Sequence, residues 1–107
     1  MENPVQKVYC LYKLKPGVSA DEYVEWSKTV DQAITSRQDC VHRFRVFELA
    51  GSRAGASPWD VVEDIEVESW DAWQACLATP EMAEVVEGFR RMADRDSAVT
   101  VFGDEIR

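Results

Sequence analysis

The sequence predicts an α+β fold of the order β-α-β-β-α-β, in which a four-stranded antiparallel sheet carries its helices on one face. The chain has 107 residues, 46% of them hydrophobic and 30% charged. This length fits a single domain over residues 1–107, and the composition excludes a disordered or fibrous protein. Four segments alternate as strands do, and two helical regions contain three capped helix starts. These three observations together predict the fold class.

The first strand is predicted from Val5 to Leu14, because its residues alternate between two partly apolar faces. Pro16 and Gly17 follow it and end the strand. Ser19 and Glu22 then have the spacing of a capping box, which predicts a helix start. A buried stripe at helical spacing continues to about position 36 and contains Tyr23, Trp26, Val30, Ala33 and Ile34.

The second and third strands are predicted as a hairpin. Cys40–Leu49 and Trp59–Val67 are rich in β-forming residues and alternate along their length. The segment 51–58 between them holds two glycines and a proline, which predicts a flexible loop. The hairpin therefore forms the middle of the predicted order.

The last third of the sequence predicts the second helical region and the fourth strand. Ser69 is expected to cap a short helix, and Thr79 with Pro80 at the first helical position is expected to begin another. The segment from Ala98 to Phe102 predicts the fourth strand. This order matches the ferredoxin-like split β-α-β arrangement.

The sheet face away from the helices is also predicted to be apolar. A bare apolar face needs a cover, and a second copy packed sheet against sheet supplies one, so we expect a homodimer. The residues expected on this outer face are Leu11, Val41, Phe47 and Val62.

The charge and the cysteines restrict the partners. A formal net charge of −8 disfavours phosphate backbones, so we expect no nucleic-acid partner. No apolar run reaches the roughly 20 residues that span a bilayer, so we expect no membrane partner. Cys10, Cys40 and Cys76 are too widely spaced for a zinc site or a disulfide framework. With no signal-peptide pattern at the N-terminus, this predicts a cytoplasmic protein without a metal.

Three titratable residues are the candidate catalytic groups. His42 is the single histidine, and the alternation places it with Phe44 and Val46, where its near-neutral pKa suits proton transfer. Glu63 stands on an otherwise apolar strand face, where an unpaired charge is costly. Asp31 is expected to complete an acid/base set. A packed or exposed histidine, an arginine partner for Glu63 and an exposed Asp31 remain open alternatives.

Three further residues are the candidate substrate-binding groups. Trp26 and Tyr12 are expected to form an aromatic wall for a flat ligand, with ordinary core packing as the alternative. Arg45 is expected to bind a substrate carboxylate, although an interface ion pair explains it equally well. No phosphate loop, dinucleotide fingerprint or heme-attachment motif is present, so no cofactor is expected.

Two parts of the chain carry a resemblance to known proteins. The first strand with Tyr12–Gly17 and Ser19–Trp26 resembles the dimeric α+β barrel superfamily, including its EthD-like and antibiotic-biosynthesis monooxygenase branches. Pro58–Val67, Thr79–Met82 and Phe89 look more specifically like RedY/HapK-like proteins. The resemblance implies a homodimer with a pocket between sheet and helices in each subunit. It also implies a bacterial pathway to pyrrole- or indole-based products.

The chain differs from relatives at two positions. EthD-like relatives often carry a histidine late in the first helix, where this chain has Asp31. Heme-degrading relatives carry a pocket asparagine on the first strand, where this chain has Cys10. The expected function is a cofactor-independent enzyme that promotes cyclisation or condensation of a planar prodiginine- or bisindole-type intermediate by acid/base catalysis. A cofactor-free monooxygenase and a non-catalytic binding protein for a reactive intermediate remain the alternatives.

Overall fold

A computed structural model describes residues 5–106 and confirms the predicted class and order. The elements are β1 (Gln6–Leu14), α1 (Ala20–Trp26), a π-helical turn (Ser27–Asp31), α2 (Gln32–Thr35), β2 (Val41–Glu48), β3 (Val61–Val67), α3 (Trp70–Leu77), a 3₁₀ turn (Pro80–Met82), α4 (Ala83–Met92) and β4 (Ala93–Asp104). None of the helices in this part of the chain is long and apolar enough to cross a membrane.

The four strands form one antiparallel sheet in the order β2-β3-β1-β4. Alternate residues of β1 and β3 point toward the helices, and the packing there forms two core clusters. The first joins the sheet to α3 and the 3₁₀ turn, with Val8, Ile65, Trp73 and Met82 among its members. The second joins the sheet to α1 and α4, with Tyr12, Val61, Tyr23, Trp26 and Met92 among its members.

Two of the three predicted helix caps form as expected. The Ser19 hydroxyl accepts a hydrogen bond from the Glu22 amide at 3.1 Å, and Ser69 accepts one from the Ala72 amide at 3.0 Å. Thr79 is the N-cap residue of the 3₁₀ turn, with Pro80 after it as predicted, but its hydroxyl makes no capping hydrogen bond and donates instead to the Cys76 carbonyl at 2.7 Å. Thr79 therefore closes the end of α3, and a 3₁₀ turn leads into α4.

The first helical region contains one turn that is wider than an α-helix. The Gln32 amide donates to the Ser27 carbonyl, five residues earlier, which defines the π-helical turn. In a regular α-helix, positions five apart point about 140° away from each other. The extra residue in this turn changes that direction, so Trp26 and Asp31 both line the same cavity.

A register shift near the start of β2 changes which residues face the core. Val41 pairs with Val67, but Arg43 pairs with Glu66, so His42 is the extra residue of a β-bulge. Val41 is therefore buried in the core, and its expected place on the outer sheet face is wrong.

The fourth strand is longer than predicted. β4 begins directly after α4, and its first residues, Ala93 and Asp94, pair with Leu14 and Lys13 of β1. The polar run 94–97 shows no alternation of apolar residues, so the sequence predicted only the second half of the strand. Only Ala93 and Asp94 of this half pair with β1; residues 95–98 fall within the register shift between Lys13 and Leu11, where the Ser97 hydroxyl oxygen accepts a hydrogen bond from the Lys13 amide at 2.8 Å.

Candidate active site

A cavity of about 290 Å³ lies between the sheet and the helices. Its size is at the lower end of the range for small-molecule sites, which are mostly apolar with a few polar groups. The polar lining groups belong to Asp31, Glu63, Thr35, Thr100 and Cys10. The apolar and aromatic lining residues are Val8, Trp26, Phe44, Ile65, Trp70, Trp73, Leu77, Met82, Val85, Val86 and Phe89.

Glu63 lies on the inner face of β3, as predicted, and only 8% of it is exposed. The Tyr12 hydroxyl donates to Glu63 Oε2 at 2.7 Å. The Tyr12 and Tyr23 hydroxyls are 2.5 Å apart. Since Tyr12 gives its proton to Glu63, Tyr23 is the donor to Tyr12. The two tyrosines thus form a buried donor chain that holds one oxygen of Glu63 in place.

Asp31 enters the cavity from the end of the π-helical turn and is 3% exposed. The Thr35 hydroxyl, one helical turn later, donates to Asp31 Oδ1 at 3.1 Å. No donor among residues 5–106 reaches Oδ2, although this atom is buried. The Glu63 carboxyl lines the same cavity, and its protonation is linked to that of Asp31.

Burial raises the pKa of both carboxyls, and each carboxyl also shifts the pKa of the other. Burial raises the pKa of Asp31 to about 6, and the Thr35 hydrogen bond partly opposes this. Burial raises the pKa of Glu63 well above its ordinary value, and the nearby charge of Asp31 raises it further. Two close carboxyls in a dry site do not both ionise easily. The pair therefore favours a state in which the two carboxyls hold one proton over a state in which both are ionised.

Cys10 faces Glu63 across the β1–β3 register and lines the cavity. The Thr100 hydroxyl donates to its sulfur at 3.4 Å. Burial, followed by the charge of Glu63, raises the pKa of the Cys10 thiol to about 12. The thiol is therefore protonated at neutral pH and is a poor nucleophile.

Trp26 forms one wall of the cavity and packs directly on Gly88 of α4. A β-carbon at position 88 would overlap the indole ring of Trp26, with the ring atom Cζ2 only 2.6 Å away. Glycine costs about 1 kcal/mol relative to alanine inside a helix. Glycine occupies position 88 of α4 because the Trp26 indole fills the space that a β-carbon would need.

The structure brings together four of the six predicted site residues. Glu63, Asp31 and Trp26 line the cavity. Tyr12 is fully buried behind Glu63, so it supports the carboxyl and does not form a wall. Their roles in catalysis or binding stay predictions.

The other two predicted residues lie outside the cavity. The expectation that His42 faces inward is wrong, because the β-bulge at this position leaves it exposed. Arg45 lies on the outer sheet face, where it pairs with Asp64 at 3.2 Å, so it does not face a ligand in the cavity. The alternative for Arg45 is an ion pair at an interface, whereas the observed pair lies within one chain.

Three residues of this region are not predicted as site residues from the sequence. Tyr23 was assigned only to a buried stripe, and its contact with Tyr12 depends on tertiary packing. Thr35 lies four positions after Asp31, a spacing that places two helical residues side by side. Gly88 had a weak signal as a glycine within a helical pattern.

The raised pKa of Glu63 predicts a pH-dependent stability. The unfolded carboxyl ionises near its ordinary value, about 4.3, whereas the folded one keeps its proton to higher pH. The folded state therefore binds more protons between these values, and the free energy of unfolding falls as the pH rises. We expect Glu63→Gln to raise the free energy of unfolding at about pH 8 by about 0.5–2 kcal/mol. We also expect the free energy of unfolding of this variant to fall less steeply as the pH rises. Urea unfolding at several pH values measures both effects.

Glu68→Gln is the matched control, because Glu68 is exposed just beyond the end of β3. It removes the same formal charge, so we expect the slope of stability against pH to stay that of the wild type. An equal flattening in both variants would show that total charge, and not burial of Glu63, sets the slope.

Comparison with known proteins identifies relatives of the chain. The family model of the REDY-like protein HapK matches residues 6–106. The crystal structure of HapK from Hahella chejuensis is similar at a TM-score of 0.78 and 26% identity, over 94% of this chain and 92% of that one. An EthD family protein from Bacillus halodurans has a TM-score of 0.75 and 17% identity, over 95% and 99% of the two chains. None of the curated proteins matches.

A third similar structure is a dimeric ferredoxin-like protein of unknown function from Thermobifida fusca. Its TM-score is 0.76 at 15% identity, over 98% of this chain and 94% of that one. At this identity the likeness concerns the fold alone. Within residues 5–106, no group of three or more His, Cys, Asp or Glu side chains is placed to hold a metal ion.

Proposed function

Because this chain belongs to the REDY-like HapK family, we propose that it is a small enzyme that promotes condensation or cyclisation of a flat pyrrole- or indole-derived intermediate. The reaction uses general acid/base catalysis and no cofactor. It belongs to bacterial secondary metabolism, and a cytoplasmic location is part of the proposal.

One observation carries the proposal: two buried carboxyls, Asp31 and Glu63, share a site at an apolar cavity. Such a pair is costly to keep, because burial disfavours the charged form of each group. In the proposed reaction the ionised Asp31 is the base and the protonated Glu63 is the acid. Pairs whose surroundings separate their protonation in this way are typical of acid/base catalysis.

A condensation with loss of water uses both groups at once. Asp31 accepts the proton that the attacking ring atom releases as the new bond forms. Glu63 donates its proton to a hydroxyl group on the electrophilic carbon, and this group leaves as water as its C–O bond breaks. The proton then passes from Asp31 to Glu63 within the pair, and the starting state returns. No electrons are lost or gained, so the step needs no oxidant.

The cavity walls fit a flat ring system. Phe44, Trp70, Trp73 and Phe89 line it together with Trp26. Aromatic faces at offset or edge-to-face geometry add about 0.5–1.5 kcal/mol per contact beyond the area that they bury. Ring contacts therefore hold the substrate while the carboxyls act on its polar edge.

Product analysis with purified protein tests the proposal against its alternatives. We expect a pyrrole- or indole-derived substrate pair to give a condensed or cyclised product faster with the protein, with no oxygen consumed. Substrate-dependent oxygen uptake would favour a monooxygenase. Protection of the substrate with the same products at the same rate would favour a binding protein.

We also propose that two copies pair through the outer sheet face. Four apolar side chains on this face are exposed in the single chain: Tyr9, Phe47, Val99 and Val101. The charged side chains between these residues form ion pairs within the chain, since Lys7 and Arg45 both contact Asp64. A face of this kind is a common interface between copies.

A charge placed on this face tests the dimer. Val101 is 49% exposed on β4, and we expect Val101→Glu to shift the protein from dimer to monomer, because a buried unpaired carboxylate opposes association. Light scattering after size exclusion measures the mass. Ala83→Glu, at an exposed position of α4, adds the same charge on the other side and should leave the dimer intact. A dimeric Val101→Glu protein would place the interface elsewhere.

A further inference from the structure

We propose that the cavity selects ligands that are positively charged, or that become so during reaction, such as protonated amines and iminium-type nitrogen heterocycles, and that it rejects carboxylates and phosphates. This proposal deepens the proposed function and rests on it, because it concerns the same cavity.

The first support is the charge of the cavity lining. Asp31 and Glu63 are its acidic groups, and none of the described lining residues is Lys, Arg or His. The cations closest in the strand register, Lys7 and Arg45, lie on the outer sheet face, where they form ion pairs with Asp64 and Glu66. The carboxyl pair therefore faces the cavity without a cationic partner from the described lining.

The second support is the energetics of a buried anion. The pair carries one negative charge when Asp31 is ionised, and a buried charge is stabilised mainly by pairing. The donors Thr35 and Tyr12 satisfy one oxygen of each carboxyl. A ligand cation supplies the missing opposite charge, whereas a ligand anion adds repulsion in a site of low dielectric constant.

The third support is the aromatic lining. Five aromatic side chains face the same space as the carboxyl pair: Trp26, Phe44, Trp70, Trp73 and Phe89. Trp70 is held in place by parallel stacking on Phe102, with ring centres 4.3 Å apart and planes 7° apart. Aromatic faces attract cations, and aromatic cages with an acidic group are a known way to bind ammonium groups.

Three matched probes test the proposal: tryptamine, which is cationic, 3-propylindole, which is neutral, and indole-3-propionate, which is anionic. Calorimetric titration of the full-length wild-type protein near neutral pH measures each affinity. We expect tryptamine to bind at least about tenfold more tightly than 3-propylindole, and indole-3-propionate to show no saturable binding. Equal affinities, tighter binding of the anion, or no binding of tryptamine would each overturn the proposal.

Two variants separate this proposal from the proposed function. Asp31→Asn removes the charge of the pair, so we expect the preference for tryptamine over 3-propylindole to disappear. Glu63→Gln replaces a protonated acid with a neutral amide, so the preference should remain. Asp39→Asn, at an exposed position, is the control and should bind all probes as the wild type does.

The outcomes of binding and turnover differ for the two proposals. If the charge preference is present but both variants turn over substrate normally, the acid/base mechanism is wrong and the ligand class stands. If turnover is lost in both variants but the probes bind without regard to charge, the ligand class is wrong and the mechanism stands.

Discussion

Glu63→Gln and Asp31→Asn are each expected to lower turnover by about 10²–10⁴-fold, the usual contribution of a positioned acid or base. Gln keeps an oxygen that accepts the Tyr12 hydrogen bond, and Asn keeps one for Thr35. Both variants preserve the size of the side chain and remove its ability to transfer a proton, and Asp31→Asn also removes its negative charge. Single-turnover kinetics on the condensed product measure the loss directly.

Two exposed acidic residues provide the controls for this experiment. Glu68→Gln and Asp39→Asn make the same chemical changes outside the cavity, and we expect turnover within about twofold of the wild type. Full activity in either cavity variant would remove that carboxyl from the mechanism. Equal losses in the controls would point to a general effect of charge.

The same pair predicts a bell-shaped dependence of rate on pH. The pKa of Asp31 is raised to about 6, so the rate should fall below that pH as the base becomes protonated. The pKa of Glu63 is raised well above its ordinary value, and the rate should fall again at higher pH as the acid ionises. Because the groups are close, the two limbs describe the pair as a whole. A rate that is flat across this range would contradict the mechanism.

Gly88→Ala is expected to lower the free energy of unfolding by about 1–3 kcal/mol, the usual cost of overpacking. The added β-carbon overlaps the Trp26 indole, so ring or helix must shift. Helix propensity alone predicts the opposite sign, since alanine is better than glycine inside a helix by about 1 kcal/mol. The sign of the change therefore decides whether the contact with Trp26 dominates.

The substitution should also affect the cavity, because Trp26 is one of its walls. We expect tryptamine affinity to fall more than about tenfold, as a misplaced wall removes ring contacts. Glu87→Ala, at the preceding exposed position of α4, should change stability by less than about 0.5 kcal/mol and leave binding unchanged. Chemical denaturation and calorimetry provide both numbers. A stabilised Gly88→Ala protein that binds tryptamine normally would show that α4 can move away from Trp26 without changing the cavity.

The sequence by itself determined the order of elements, because alternation and helical spacing report which side of each segment is buried. It also determined the inward direction of Glu63, since Val61 and Ile65 flank it on the same buried face of β3. Such positions depend only on local periodicity, which a single sequence contains. The helix starts at Ser19 and Ser69 were equally local, because a cap acts within three residues.

Only the tertiary structure decided the composition of the site. The bulge in β2 turns His42 outward, and the register of β2 with β3 pairs Arg45 with Asp64. The π-helical turn brings Asp31 to the cavity beside Glu63. An extra residue in a strand or a helical turn changes which side chains face the cavity. Packing against segments that are distant in the sequence decides whether the chain accommodates such a residue. Local spacing does not contain that information, and this is why the sequence predicts both Glu63 and Asp31 as acid/base residues but gives the direction of the side chain only for Glu63.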